Sequence, residues 1–170
     1  IDDALLRFGD ADVFFASHLW PLWGNSTITH YMKQQRDAYK YIHDQTVRMI
    51  NTGMKRDESA EQIRFPRELQ DALSVHGYYG TLKHDARAVY QFYMGWFDGN
   101  PANLDRLPRA EAARRYLELM GGGEQVVSAA QAAYDRGEYR WVAELLNHAG
   151  CADPDNRAAR QLRASAYDQM

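Results

Sequence analysis

Apolar residues change their spacing along this chain, and each change marks a different kind of element. Val13-Phe14-Phe15-Ala16 is an unbroken apolar run between Asp12 and Ser17. Such a run suits a fully buried parallel strand, although four residues also fit a segment of buried helix. It follows what reads as a helix end, Ile1 to Phe8, stopped by Gly9. His18-Leu19-Trp20-Pro21-Leu22-Trp23-Gly24-Asn25 reads as a loop, because Pro21 and Gly24 both interrupt regular structure. No second clear strand follows. The start of the chain therefore reads as the tail of an α/β domain and not as a whole one.

From Ser26 the period becomes helical. Ile28, Tyr31, Met32, Tyr39, Ile42, Thr46 and Met49 line one face of a long amphipathic helix that ends at Gly53. Asp57 is placed to cap a short turn running to Ile63, and Pro66 suits the first turn of a helix to about Val75. The loop Gly77-Tyr78-Tyr79-Gly80-Thr81 separates it from a helix predicted from about Asp85 to Asp98. Another helix is predicted from Pro108 to Met120, and Gly121-Gly122-Gly123 makes the clearest hinge.

Beyond the hinge small residues dominate. Ala129, Ala133, Gly137, Tyr139, Ala143, Leu146, Ala149, Pro154, Asn156, Ala159 and Leu162 resemble one tetratricopeptide repeat running into the next helix. Gly137-Glu138-Tyr139 turns the corner between two antiparallel helices that approach closely. About one repeat and the start of another fit, too few for an independent solenoid, so these helices must pack on something else. The fold class predicted is mostly α: a helical domain over residues 26–170, tetratricopeptide-like over 124–170, preceded by a clipped α/β edge over residues 1–25.

Composition narrows the function without naming it. The 170 residues are 45% hydrophobic and 25% charged, as in an ordinary globular chain. A formal net charge of −3 argues against a nucleic-acid or anionic-membrane surface, which needs clustered positive charge. No apolar run is long enough to span a bilayer, and no export signal opens the chain at Ile1. Cys151 is the single cysteine, so a metal here would have to use His, Asp or Glu. Aromatics reach 12%, with eleven Tyr and four Trp, which points to a bulky core, an interface, or both.

His18 is the sharpest chemical candidate, because it stands where the predicted strand gives way to a loop, a usual place for ligands in α/β enzymes. One imidazole nitrogen there can bind a metal while the other is held by a neighbour. The competing reading is a histidine that merely hydrogen-bonds its loop. Tyr78 and Tyr79 can donate a phenolic proton to a leaving group or an anion, or can serve as a packing wedge between two glycines. His43 and Asp44 are sequence neighbours on a helix, and that spacing favours a structural role over an acid–base pair. His76, His84 and His148 share no ligand-like spacing and read as capping, loop or interface residues. The stripe Tyr90, Phe92, Tyr93, Trp96 and Phe97 reads as core or dimer interface. No phosphate-binding glycine loop or serine nucleophile elbow is present.

Longer strings carry a resemblance. Phe14-Phe15-Ala16-Ser17-His18, Trp20-Pro21 and Trp23-Gly24-Asn25 resemble the last metal-ligand strand and loop of the alkyl sulfatases of the metallo-β-lactamase type. Gln35-Arg36-Asp37 and Tyr39-Lys40-Tyr41-Ile42-His43-Asp44-Gln45-Thr46 are similar to that family's next helix. Gly77-Tyr78-Tyr79-Gly80-Thr81, Tyr93-Met94-Gly95-Trp96-Phe97-Asp98-Gly99-Asn100-Pro101, Tyr139-Arg140-Trp141-Val142-Ala143-Glu144 and Asn147-His148 are similar to its dimerisation domain. The resemblance implies a parent enzyme with two zinc ions per subunit that hydrolyses alkyl sulfate esters to alcohol and sulfate. It implies that His18 is a zinc ligand and that the chain forms a homodimer, with Tyr90, Tyr93, Trp96 and Phe97 as the expected interface. Tyr78 and Tyr79 stay as catalytic candidates.

The resemblance also shows departures. The family's His-x-His-x-Asp-His cluster is absent from these residues, so this segment alone is expected to be inactive. A second histidine is usual where Leu19 stands, and Gly150-Cys151 replaces a bulky apolar pair. Detergent-like substrates are compatible with a periplasmic or secreted parent, though nothing in these residues encodes export. The alternative reading is a non-catalytic helical module for dimerisation or protein binding.

Overall fold

The computed structural model describes residues 1–18 and 20–170, so Leu19, with its departure from the family pattern, lies outside the described residues. The chain divides into two compact units, Ile1–Pro101 and Ala102–Met170. The expected boundary between residues 25 and 26 falls within the first unit, at the start of its long helix. Most of the chain is helical, as expected.

The first unit opens with α1 (Asp2–Phe8) and a two-residue hairpin pair, β1 (Val13–Phe14) and β2 (Leu22–Trp23). The pairing is antiparallel, with Val13 opposite Trp23 and Phe14 opposite Leu22. This corrects the expected buried parallel strand: Val13 is 52% and Phe15 77% exposed, and the predicted loop contains β2. An unbroken apolar run carries no alternation, so it cannot show which way its side chains face. Phe14 alone turns inward, its ring 5.3 Å from that of Tyr31.

α2 (Asn25–Asn51) runs for 27 residues without a glycine or proline, and buries Ile28, Ala38, Ile42, Thr46 and Met49 along one stripe. It stops where Gly53 takes φ +82° and Met54 donates back to the Met49 carbonyl at 3.1 Å, the six-to-one closure of a Schellman end. α3 (Arg56–Gln62) starts two residues earlier than an Asp57 cap would set it, because the Lys55 amide donates to the Glu58 carboxylate at 2.9 Å. α4 (Arg67–Gln70) is a single turn followed by a 3-10 turn at Leu73–Val75, shorter than the helix predicted to Val75. α5 (Leu82–Met94) begins at the Thr81 cap, whose hydroxyl accepts from the His84 amide, and ends at Gly95, whose φ is +76°. Met49, Ile63 and Ala86 form the centre of this unit, flanked by Tyr41, Met54 and Leu82.

The second unit holds α6 (Arg109–Leu119), α7 (Gly123–Asp135), α8 (Tyr139–Ala152) and α9 (Arg157–Asp168). α8 packs on each of the other three. Its core is small-residue rich: Ala130, Ala133, Ala149, Ala159 and Ala166 are at most 2% exposed, around Val126, Val142 and Leu146. Fully burying Leu146 and Val142 contributes roughly 2 kcal/mol each. Gly137, at φ +78°, makes the corner, and the Glu138 amide closes on the Ala133 carbonyl at 3.0 Å. Tyr134 and Tyr139 meet edge to face across it at 5.2 Å. The α9 start is capped by Asn156, which accepts from the Ala159 amide at 3.0 Å. Gly150 on α8 leaves room for the Arg163 guanidinium, which a Cβ there would meet at 2.9 Å.

Candidate functional site

Two adjoining hollows in the first unit share His18, Tyr31, Ser74 and Tyr78 in their walls. The larger, about 1020 Å³, is bordered by polar groups including Gln35, Tyr79 and Asp85. The smaller, about 250 Å³, is bordered by Phe14, Trp20 and Leu22. His18 therefore stands where a large hollow of mixed lining, with Ile42, Phe65 and Leu69 beside its polar groups, meets a smaller and more apolar one.

Local bonds explain why these walls hold their shape. Gln35 donates to the Ser74 carbonyl at 2.6 Å, and the Ser74 hydroxyl donates to Gln34 at 3.0 Å. Two consecutive residues of α2 thus fix the 3-10 turn. Gly77 closes the following loop so tightly that a Cβ would stand 2.4 Å from the Gly80 carbonyl oxygen.

The structure separates the two tyrosines between these glycines. The Tyr78 hydroxyl donates to the Leu73 carbonyl at 3.0 Å, so its proton already serves the loop. Tyr79 is 85% exposed and its hydroxyl comes within 3.4 Å of His18 Nδ1, with the rings 5.2 Å apart. Of the sequence candidates, Tyr79 and His18 are the pair brought together. Burial raises the Asp85 carboxyl above its ordinary range at the same groove.

The sequence reasoning missed a second constellation. His43 Nδ1 lies 2.8 Å from Asp44 Oδ1, and His43 Nε2 lies 2.6 Å from the Tyr93 hydroxyl. The ionised carboxylate only accepts, so Nδ1 carries the proton, and in the neutral imidazole Nε2 then accepts from the phenol. Lys40 donates to the other Asp44 oxygen at 2.6 Å, and this bond, with that from His43, holds the Asp44 carboxyl below the usual carboxylate range. Adjacent positions on α2 had suggested diverging side chains, and nothing in the local pattern pointed to Tyr93 fifty residues later.

Three of the four remaining histidines take structural partners: His76 the Gln70 carbonyl, His84 the Thr81 hydroxyl, and His148 the ring of Tyr116 at 4.8 Å; the fourth, His30, borders the smaller hollow. The four expected interface aromatics are split. Tyr90 is 6% exposed and packs inside its own unit, whereas Tyr93 and Trp96 are 50% and 67% exposed and Phe97 is half-buried. Among the described residues, no group of three His, Cys, Asp or Glu side chains is arranged to hold a metal ion. Nor is any helix among them long and apolar enough to cross a membrane.

Comparison with known proteins agrees with the strings quoted above. A family model described as alkyl sulfatase dimerisation matches residues 55–170. The chain is 44% identical, over its whole length, to a linear primary-alkylsulfatase of Pseudomonas sp.. It is 46% identical to an alkyl/aryl-sulfatase of Saccharomyces cerevisiae and 42% identical to an (R)-specific secondary-alkylsulfatase of Pseudomonas sp.. It spans about a quarter of the length of these relatives, 25%, 26% and 26%. A solved stereoselective inverting sec-alkylsulfatase from Pseudomonas sp. superposes with a TM-score of 0.93 at 42% identity, over 99% of this chain and 27% of that one.

Proposed function

The chain belongs to the alkyl sulfatase dimerisation family, and on that premise we propose that it is the subunit-joining segment of an enzyme that hydrolyses alkyl sulfate esters to alcohol and sulfate. Its partner is a second copy of the same protein. It also supplies part of the substrate groove in the first unit.

The observation that carries the substrate reading is the position of His18. A large hollow of mixed lining, with Gln35, Tyr79 and Asp85 on its wall, and a smaller, more apolar one meet at its ring, which gives room for both the head and the hydrocarbon tail of an ester. Tyr79, beside it, is the phenol placed to hydrogen-bond a sulfate oxygen or a leaving alcohol.

Zinc is part of this reading for the parent enzyme, two ions per subunit, with His18 as one ligand. One imidazole does not make a zinc site, since such sites take three or four protein ligands. The residues described here do not by themselves fit the metal, and no reaction step is assigned to it from this chain. The second reading is a helical dimerisation or protein-binding module without chemistry of its own.

The test is made on the parent protein. Replacing His18 by Ala should lower bound zinc, measured by elemental analysis, together with hydrolysis of dodecyl sulfate. A zinc content and rate equal to wild type would remove His18 from the site. Light scattering after size exclusion should give the mass of a dimer for the full chain.

A further inference from the structure

The segment from Gln91 to Phe97 carries no charged residue, and four of its side chains stand out from the unit. Phe92, Tyr93, Met94 and Trp96 are 82%, 50%, 51% and 67% exposed. Aromatic and methionine side chains without charges are the composition of an interface core. The edge lies inside the residues matched by the dimerisation family, so the occupant it fits is a second copy of this chain.

An edge of this kind has a weakness. Tyr93 is in the last turn of α5, and Gly95 follows it at a positive φ. Helix ends fray, and ordering an aromatic side chain on a mobile end subtracts from the association it supports. The Lys40–Asp44–His43 chain answers that weakness. It begins on the uninterrupted body of α2, and its last member takes the Tyr93 hydroxyl at 2.6 Å. Phe92 then stands edge-on to Tyr93, with rings 5.1 Å apart and 88° between their planes.

We propose that His43, oriented by Asp44 and through it by Lys40, is a positioning residue that locks the Tyr93 ring and so presets the Phe92–Trp96 edge for docking of a second copy. This rests on the dimer reading above and deepens it. Asp44 fixes which imidazole nitrogen is free to accept, and Lys40, four residues earlier on the same helix, fixes Asp44. The phenol remains the contact; the imidazole acts through it.

The experiment measures the dimer dissociation constant of the full chain by sedimentation equilibrium for wild type, Tyr93→Phe, His43→Ala, the double variant and Trp96→Ala. Tyr93→Phe keeps the ring and removes only the bonded hydroxyl, so it tests the lock even where His43→Ala disturbs α2. The expected result is weakening on the order of tenfold for each single relay variant, with the double variant no weaker than either. Non-additivity is the readout that a separate structural role of His43 would not produce. A wild-type chain that stays monomeric overturns the proposal and the dimer reading together. A dimer weakened by Trp96→Ala but indifferent to Tyr93→Phe and His43→Ala overturns the lock and leaves the dimer reading standing. A dimer indifferent to all four variants places the contact elsewhere, or leaves this edge to another part of the parent, and also overturns the proposal.

Discussion

Arg87, on α5, reaches across to α3 and donates its Nε to Asp57 Oδ1 at 2.8 Å, while Arg56 approaches the other carboxylate oxygen at 3.6 Å. Asp57 was expected as a helix cap. Inside the first turn, it instead ties two helices that also share an apolar contact.

That tie makes a pH prediction. The Arg87 hydrogen bond holds the Asp57 carboxyl below the usual carboxylate range, with burial opposing. A carboxyl depressed on folding adds stability above its unfolded value of about 4, and loses it as pH falls through the lower folded value. Asp57→Asn should therefore cost about 0.5 kcal/mol at neutral pH, since the pair is largely solvated. Urea midpoints of the two proteins should converge as pH falls below about 4. Curves that differ equally at pH 7 and in acid would refute the assignment.

In the second unit Leu146 is fully buried at the centre of α8. Leu146→Ala should destabilise the unit by about 3 kcal/mol through lost transfer energy and a residual cavity. Chemical denaturation is the check, and a cost under about 1 kcal/mol would mean that α8 is not the hub of this core.

Gly137 has open space where a Cβ would go, so any cost of a side chain there comes from its φ of +78° alone. Gly137→Ala should cost about 1 kcal/mol. An unchanged melting temperature would show that the corner relaxes out of the left-handed region.

Gly77 presents the opposite case, since a Cβ meets the Gly80 carbonyl oxygen at 2.4 Å. Gly77→Ala must open the loop that carries Tyr79. The expected outcome is a shift in the His18 ring resonances by NMR, with helix content retained in circular dichroism. Unmoved His18 resonances would uncouple the loop from the groove.

Where apolar spacing repeats over several turns, the fold was legible: Ile28, Ile42, Thr46 and Met49 of the α2 stripe, the glycine hinge before α7 and the Gly137 corner stand where the pattern places them, while Tyr39 is 67% exposed and Ala38 takes the buried place beside it. Short segments were less so. The four-residue run at Val13 held no alternation to give its orientation, and α5 ends at Met94 because Gly95 turns left-handed before the aromatic stripe is finished. Within the site, His18 stood out by its place after an apolar run, yet its approach to Tyr79 depends on a loop sixty-one residues on. The Asp44–His43–Tyr93 chain was hidden twice over. Neighbours on a helix diverge by about 100°, which concealed the first bond, and the second joins residues fifty apart.

The alanines between α7, α8 and α9 carry a consequence for how this chain diverges over time. Ala130, Ala133 and Ala166 have no exposed surface, and the backbones approach each other because nothing larger stands between them. A bigger residue at any one of them costs about 1–3 kcal/mol unless a neighbour shrinks to keep the volume. Neutral drift is therefore slowed along this seam and runs freely on the outer faces of the same helices. Descendants of this sequence are free to exchange most of what these helices show to solvent, and very little of what holds them together.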